Sequence, residues 1–364
     1  GSWIEIESRL FGKWNDDELN VFAREVSGSS VLGIKWQSGR LNSGVRTKNL
    51  SGRRNAGISQ VIMADKTVAA LKIYPSDPHH DRLFSEFQGL TLIRKKNIKK
   101  VPQPIISNAK MNAAMYEWIE GEPVDNPSTH DMEHALDLLD SIHALRNLPE
   151  FSSFPNASAA IFSGQQLERQ LHERIGMLRD QCVESLPLHE FLTEELEPIA
   201  AEVVDWVKVH WPKTENYGEV IEPKKRTLSP SDFGFHNALR KDNSEIIFFD
   251  FEYFGWDDPA KLIGDFLLHP GMQLSDDLRH MWIKGTEDIF GEVVSQRGQV
   301  MWPMLGLCWC LILLNEFRKD VWVRRAEIFG LTSDNKETLL ERQLDRSKQY
   351  LKKIEYSYRD FRFD

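Results

Sequence analysis

Cysteine is scarce in this chain: Cys182, Cys308 and Cys310 are the only three among 364 residues. That number is too small for a disulfide framework. Cys308 and Cys310 lie two apart in an apolar stretch, which is poor geometry for a mutual bridge. They read as buried free thiols of a cytoplasmic protein. No apolar run approaches the length needed to span a bilayer. The densest, Met301 to Leu314, contains a proline and reads as a buried helix. There is no signal-peptide pattern at the start. Excess positive charge is also missing. The formal net charge is −10, which argues against binding a nucleic acid polymer. Internal repeats and low-complexity segments are absent.

What is present is an ordinary globular composition with an uneven layout. The first 110 residues are basic on balance, including "RKKNIKK" at Arg94 to Lys100, and the remainder is acidic. From Asn49 the patterning sharpens. "GISQVIMADKTVAALKIYP" holds two β-branched runs around Ala64-Asp65-Lys66, a hairpin signal. Leu83, Phe84, Phe87, Leu90 and Ile93 then follow a helical period. "NAAMYEWIEGEPV" reads as a short strand ending in Gly and Pro. After Pro127 the pattern turns mainly helical, with Met132, Ala135, Leu136, Leu139, Ile142 and Leu145 on one face. Two further helices are expected between about 164 and 210, and others over Pro303 to Val323 and Glu337 to Tyr356. The expected fold class is α+β: a small strand-rich lobe over residues 1–118, including an extension over 1–48, and a large helical lobe over 119–364. That layout suits a ligand held in a cleft between two lobes.

The residues that could carry chemistry cluster in "LSPSDFGFHNAL" and "IIFFDFEYFGWDDP". Asp250 ends an apolar strand, and Asn237 begins another. A hairpin across "RKDNSE" would bring a carboxylate and an amide oxygen together, the oxygen donors a cation such as Mg²⁺ requires. Asp232, on the loop before Asn237, is placed to act as a general base. Upstream, Lys72 sits inside an apolar strand, costly without a partner. Alternation puts Ala70, Lys72 and Tyr74 on one face. Glu86 on the next helix could pair with Lys72; Asp81 is nearer in sequence. Gly52 and Gly57 flank two arginines, and glycines let a backbone approach phosphate closely. His236, beside Asn237, could pack within its loop or touch substrate. Trp256, Trp302, Trp309 and Trp322 could cage a cation, although tryptophans at such spacing are more often core.

Together these stretches resemble the aminoglycoside phosphotransferase and choline kinase superfamily, over about residues 45–270. The resemblance implies a bilobal protein-kinase-like fold and an ATP- and Mg-dependent phosphotransferase acting on a small-molecule hydroxyl. The acceptor class would be a sugar, amino sugar or amino alcohol. It implies that Asp232 is catalytic, that Asn237 and Asp250 bind metal, and that Lys72 and Glu86 serve the nucleotide under the Gly52 to Gly57 loop. Backbone groups of Glu117, Trp118 and Ile119 would meet the adenine, and Asp265 would be structural. One departure is plain. The family writes His-Gly-Asp where this chain has Pro230-Ser231-Asp232, which marks an atypical branch and raises a question of loop shape. Two other readings follow from that departure and from the fold: a nucleotide-binding pseudokinase acting as an interaction module, and a protein-modifying enzyme. The lack of an Ala-Pro-Glu segment after Asp250 counts against a protein kinase.

Overall fold

The computed structural model describes residues 21, 23–26, 31–36, 57–63, 65–181, 185–323 and 333–359. Gly52, Cys182 and most of the 1–48 extension lie outside them. The chain packs as two compact units. The first is Gly1–Asn126 with Gly234–Gly255 and Arg324–Leu331; the second is Pro127–Phe233, Trp256–Val323 and Thr332–Asp364. The sequence puts the division after residue 118. The packing puts it after Asn126 and returns the chain to the first unit for Gly234–Gly255.

In the first unit, strands β1 (Val31–Trp36), β2 (Gly57–Met63), β3 (Val68–Ile73), β4 (Pro104–Asn108) and β5 (Ala113–Glu117) form one antiparallel sheet in the order β1-β2-β3-β5-β4. The expected β2–β3 hairpin is present. Its turn is closed by Lys66 in the left-handed region (φ 70°) and by Asp65, whose Oδ1 accepts the Thr67 N–H at 2.9 Å. Alternation along β3 sorts its two faces. Leu71 and Ile73 enter an apolar core with Ala23, Val26, Val61, Ala113 and Met115, while Lys72 and Tyr74 point the other way, with Lys72 Nζ 5.1 Å from the Tyr74 ring centre.

Helix α1 (Arg82–Lys95) starts at Asp81, whose side chain accepts the Phe84 N–H at 2.9 Å. Asp81 is therefore a helix cap. Gly89 lets α1 approach Phe254, because a Cβ there would fall 2.6 Å from the Phe254 ring. A three-stranded sheet completes the unit: β6 (Glu122–Pro123), β8 (Ala238–Arg240) and β9 (Ile246–Phe248). Strands β8 and β9 are the hairpin expected across "RKDNSE", with Ala238 opposite Phe248.

Among its described residues the second unit is mainly helical, with two short strands, β7 (Thr227–Ser229) and β10 (Gly255–Asp257), the latter from Trp256 onward. Helix α2 (Thr129–Ala144) begins with a reciprocal capping box between Ser128 and Asp131. Helices α3 (Gly164–Arg179), α4 (Leu186–Glu190) and α5 (Glu197–His210) follow, with a π-helical segment, Phe191–Leu196, between the last two. After β10 come α6 (Pro259–Leu268), α7 (Asp276–Phe290), α8 (Glu292–Ile312) and α9 (Ser333–Ser357). Helix α8 packs on α6, α3, α9 and α5.

The sequence placed this helix over Pro303 to Val323. It begins instead at Glu292, ends at Ile312 and carries Pro303 inside. The stretch Glu292–Phe317 is long and apolar enough to cross a membrane by length and composition, contrary to the expectation from the sequence. Most of it is buried within the protein, as in a core helix. Cys308 and Cys310 are buried free thiols on α8, and Trp302 is buried on the same helix.

Candidate active site

Lys72 is the centre of the first unit's charge cluster. Its Nζ lies 2.6 Å from Glu86 Oε2, 2.5 Å from Asp250 Oδ1 and 3.4 Å from Glu252 Oε2. Of the two partners the sequence offered, Glu86 on α1 is the one found. Glu86 also accepts the Tyr74 O–H at 2.7 Å and the Phe251 N–H at 3.1 Å, so one carboxylate ties together β3, α1 and the segment after Asp250. Burial opposes the charge on Lys72, but Asp250, Glu86 and Glu252 override it and hold its pKa well above the ordinary lysine value. Burial raises the Asp250 carboxyl against the opposing pull of Lys72, with Glu252 and Glu86 adding to the rise.

Glu252 was not foreseen. It is fully buried, and Arg82 Nη1 donates to its Oε1 at 3.0 Å. Its other oxygen is buried and makes no hydrogen bond. A signal for it existed in the sequence: an acid inside the aromatic run Phe251-Glu252-Tyr253-Phe254 is as costly as a lysine inside β3.

The β8–β9 hairpin places Asn237. Its backbone carbonyl accepts the Phe249 N–H at 3.0 Å, directly before Asp250, and the residue is 2 % exposed. Asp250 takes a left-handed φ of 68°. Aspartate tolerates that conformation better than most residues, and such outliers gather at functional sites. Three carboxylates, Glu86, Asp250 and Glu252, face two cations, Lys72 and Arg82. The surplus negative charge and the unbonded Glu252 oxygen fit a hard, oxygen-seeking cation such as Mg²⁺.

Gly57 is not in a loop: it opens β2 and pairs with Ile73. Glu117 ends β5, and its N–H is already bonded to Gln103 O at 2.8 Å. Trp118 and Ile119 follow beyond the strand end. His236 is half-buried in the short 3-10 turn Phe235–Asn237.

In the second unit, Asp232 follows β7 through an unusual turn. The Asp232 N–H donates to Pro230 O at 2.9 Å, and Ser231 between them has φ 67°. An i to i+2 hydrogen bond with a positive-φ centre is the strained form of the γ-turn. The Ser229 hydroxyl accepts the Ser231 N–H at 3.0 Å and helps hold that turn. Ser229 and Pro230 build the loop, and Ser231 adopts a backbone that glycine would adopt freely.

His269 was also missed. Its Nε2 lies 3.6 Å from Asp232 Oδ1. It caps the C-terminus of α6, a position that no sequence spacing connects to Asp232. Asp265 accepts from Lys261 at 2.8 Å and from Trp309 at 2.9 Å.

The phosphotransferase enzyme family matches residues 53–293. No curated protein sequence matches the chain. Among solved structures, the chain is similar to a spectinomycin phosphotransferase solved with ADP and spectinomycin, at 12% identity, covering 96% of this chain and 99% of that one, TM-score 0.58. It is similar to a Plasmodium vivax ethanolamine kinase at 13% identity, covering 93% and 91%, TM-score 0.54. It is also similar to the choline kinase LicA from Streptococcus pneumoniae at 12% identity, covering 93% and 99%, TM-score 0.53. At such identity these structures speak for the fold, which is the bilobal kinase-like fold. The chain belongs to the phosphotransferase enzyme family, and its enzyme class is that of a small-molecule kinase.

Proposed function

We propose that this enzyme transfers the γ-phosphoryl group of ATP, with Mg²⁺, to a hydroxyl of a sugar, amino sugar or amino alcohol. The observation that carries the reading is Lys72 held between Glu86 and Asp250 in a buried cluster that retains surplus negative charge. The spectinomycin, choline and ethanolamine acceptors named for the similar structures support the acceptor class.

In this reading Lys72 binds the α- and β-phosphates, and Glu86 fixes its ammonium. Asn237 and Asp250 supply the oxygen ligands for Mg²⁺, with Glu252 beside them. Bound Mg²⁺ neutralises charge on the phosphates as the transfer proceeds. Asp232 accepts the proton of the acceptor hydroxyl while its oxygen bonds to the γ-phosphorus. The bond from that phosphorus to the β–γ bridging oxygen breaks, and ADP leaves with the electron pair. Glu117, Trp118 and Ile119 are the proposed adenine contacts. Since the Glu117 N–H is already engaged, the donors there would be Trp118 and Ile119.

ATP consumption across a panel of spectinomycin, choline, ethanolamine and simple sugars tests this directly. Turnover with one of them that is lost in Asp232→Asn is the expected result. Binding of ATP with Mg²⁺ but no turnover with any acceptor would favour a nucleotide-binding module instead.

A further inference from the structure

The His269 ring is held on three sides within the second unit. Its backbone N–H donates to Asp265 O at 2.9 Å, closing α6. Its ring meets Trp309 edge-on, with centres 4.8 Å apart and planes at 87°. Trp309 is fixed in turn, because its Nε1 donates to Asp265 Oδ1 at 2.9 Å. Asp265 Oδ2 accepts from Lys261 Nζ at 2.8 Å, and Lys261 is anchored on the buried Asp257 at 3.1 Å. The ring nitrogens are therefore aimed by a chain of partly buried contacts from α6 and α8.

Their roles follow from one further bond. The Gly271 N–H donates to His269 Nδ1 at 3.1 Å. A ring nitrogen that accepts cannot carry the proton, so the neutral imidazole bears its hydrogen on Nε2. Nε2 is the atom facing Asp232, 3.6 Å from Oδ1. The Gly271 bond also disfavours a second proton on Nδ1. At 3.6 Å the contact is longer than a finished hydrogen bond. A small rotation of the Asp232 side chain, which is 30 % exposed, would close it.

We propose that His269 is a positioning residue for Asp232. Its Nε2–H holds one carboxylate oxygen and leaves the other directed at the acceptor hydroxyl. In this chain the strained turn at Ser231 sets the backbone of Asp232, and His269 sets its side chain. This rests on Asp232 being the acceptor of the hydroxyl proton. A donor at one carboxylate oxygen narrows the orientations the side chain can take, and misplacement by about 1 Å is worth roughly 10²-fold in rate.

The test uses the full chain with ¹⁵N-labelled histidine. The His269 signals are identified by their loss in His269→Gln. The expected result is an Nε2–H tautomer at neutral pH. Its Nε2 and Hε2 resonances should move in Asp232→Asn and stay in place in Asp277→Asn, a change in the exposed first turn of α7. With the acceptor of highest turnover in the panel, His269→Phe keeps a ring against Trp309 but removes the donor. It should lower kcat by roughly 10²-fold with KM for ATP unchanged. His269→Gln restores an N–H near the same position and should recover about a tenth of the native rate or more. An Nδ1–H tautomer, resonances indifferent to Asp232→Asn, or native turnover in His269→Phe would each overturn the proposal. Native turnover in Asp232→Asn would instead overturn the role of Asp232 itself, so the two failures are distinct.

Discussion

The Lys72 ammonium and the Glu86 carboxylate meet at 2.6 Å, with neither side chain more than 5 % exposed. A buried pair of this kind is stable only when its remaining hydrogen-bonding sites are filled. Here Tyr74 and the Phe251 N–H fill them on the Glu86 side. Glu86→Ala strands the Phe251 N–H and part of the charge on Lys72, and leaves the Tyr74 hydroxyl with Tyr116 alone. It should destabilise the protein by about 3–5 kcal/mol. Urea unfolding of Glu86→Ala beside Glu86→Gln measures this, and Gln, which keeps the shape without the charge, should lose less.

Asp250 couples that pair to pH. Burial raises its pKa, so as pH falls the folded protein takes up a proton there before the unfolded chain does. The sign follows: this group's contribution to stability is present below the unfolded carboxylate value and is lost as pH rises through the raised one. A cation needs the carboxylate, so stabilisation by Mg²⁺ with ATP should run the opposite way and grow with pH. Thermal shifts with Mg²⁺ and ATP, against ATP with chelator, should be larger at about pH 8 than at about pH 6. Asp250→Asn should flatten that difference, and an unchanged pH trend in the variant would exclude Asp250 as the group responsible.

Ser231 carries the strain of the loop before Asp232 at φ 67°. A left-handed backbone costs a residue with a side chain about 1–2 kcal/mol, and glycine adopts it freely. Ser231→Gly should therefore raise stability by about 0.5–1 kcal/mol after its own entropy is counted. Ser231→Val should lower stability, because β-branching fits this region worst. Paired denaturation curves read both signs.

His143 gives the second unit an acid limit. Its Nδ1 lies 2.9 Å from Thr227 Oγ1, and its ring meets Phe290 edge-on at 4.8 Å. Burial, with Arg146 adding to it, lowers its pKa from 6.5 to about 4. The unfolded chain binds a proton that the folded one resists, so stability falls as pH drops from 6.5 toward 4. The ring is only half-buried, so solvent moderates the effect. His143→Gln should remove part of the slope of melting temperature with pH across that window, and an unaltered slope would exclude His143 as a source.

Much of the first unit was legible because its signals are local. Alternation in "VAALKIYP" set the face of Lys72, and the residue spacing gave the β8–β9 hairpin that pairs Asn237 with Phe249, the residue before Asp250. Other features resisted reading. Asp81 and Glu86 were both reachable partners for Lys72, and only the N-cap bond of Asp81 to Phe84 removes it from that role. Gly57 looked like a loop glycine, but its pairing with Ile73 makes it the first residue of a strand. Helix α8 was placed over Pro303 to Val323, whereas tertiary packing carries a helix from Glu292 through Pro303.

The residue types alone determined the chemistry available: a lysine in an apolar strand, an acid at a strand end, an amide at another, and an aspartate on a loop. Those are statements about short stretches, where spacing and periodicity constrain geometry. The tertiary structure decided which groups meet. Glu252 reaches Lys72 from 180 positions away, and His269 reaches Asp232 from the end of a helix. Ser231 became a strained turn through bonds to Ser229 and Pro230. No periodicity encodes such contacts, because they depend on how separate elements pack and on which buried charges must then find partners.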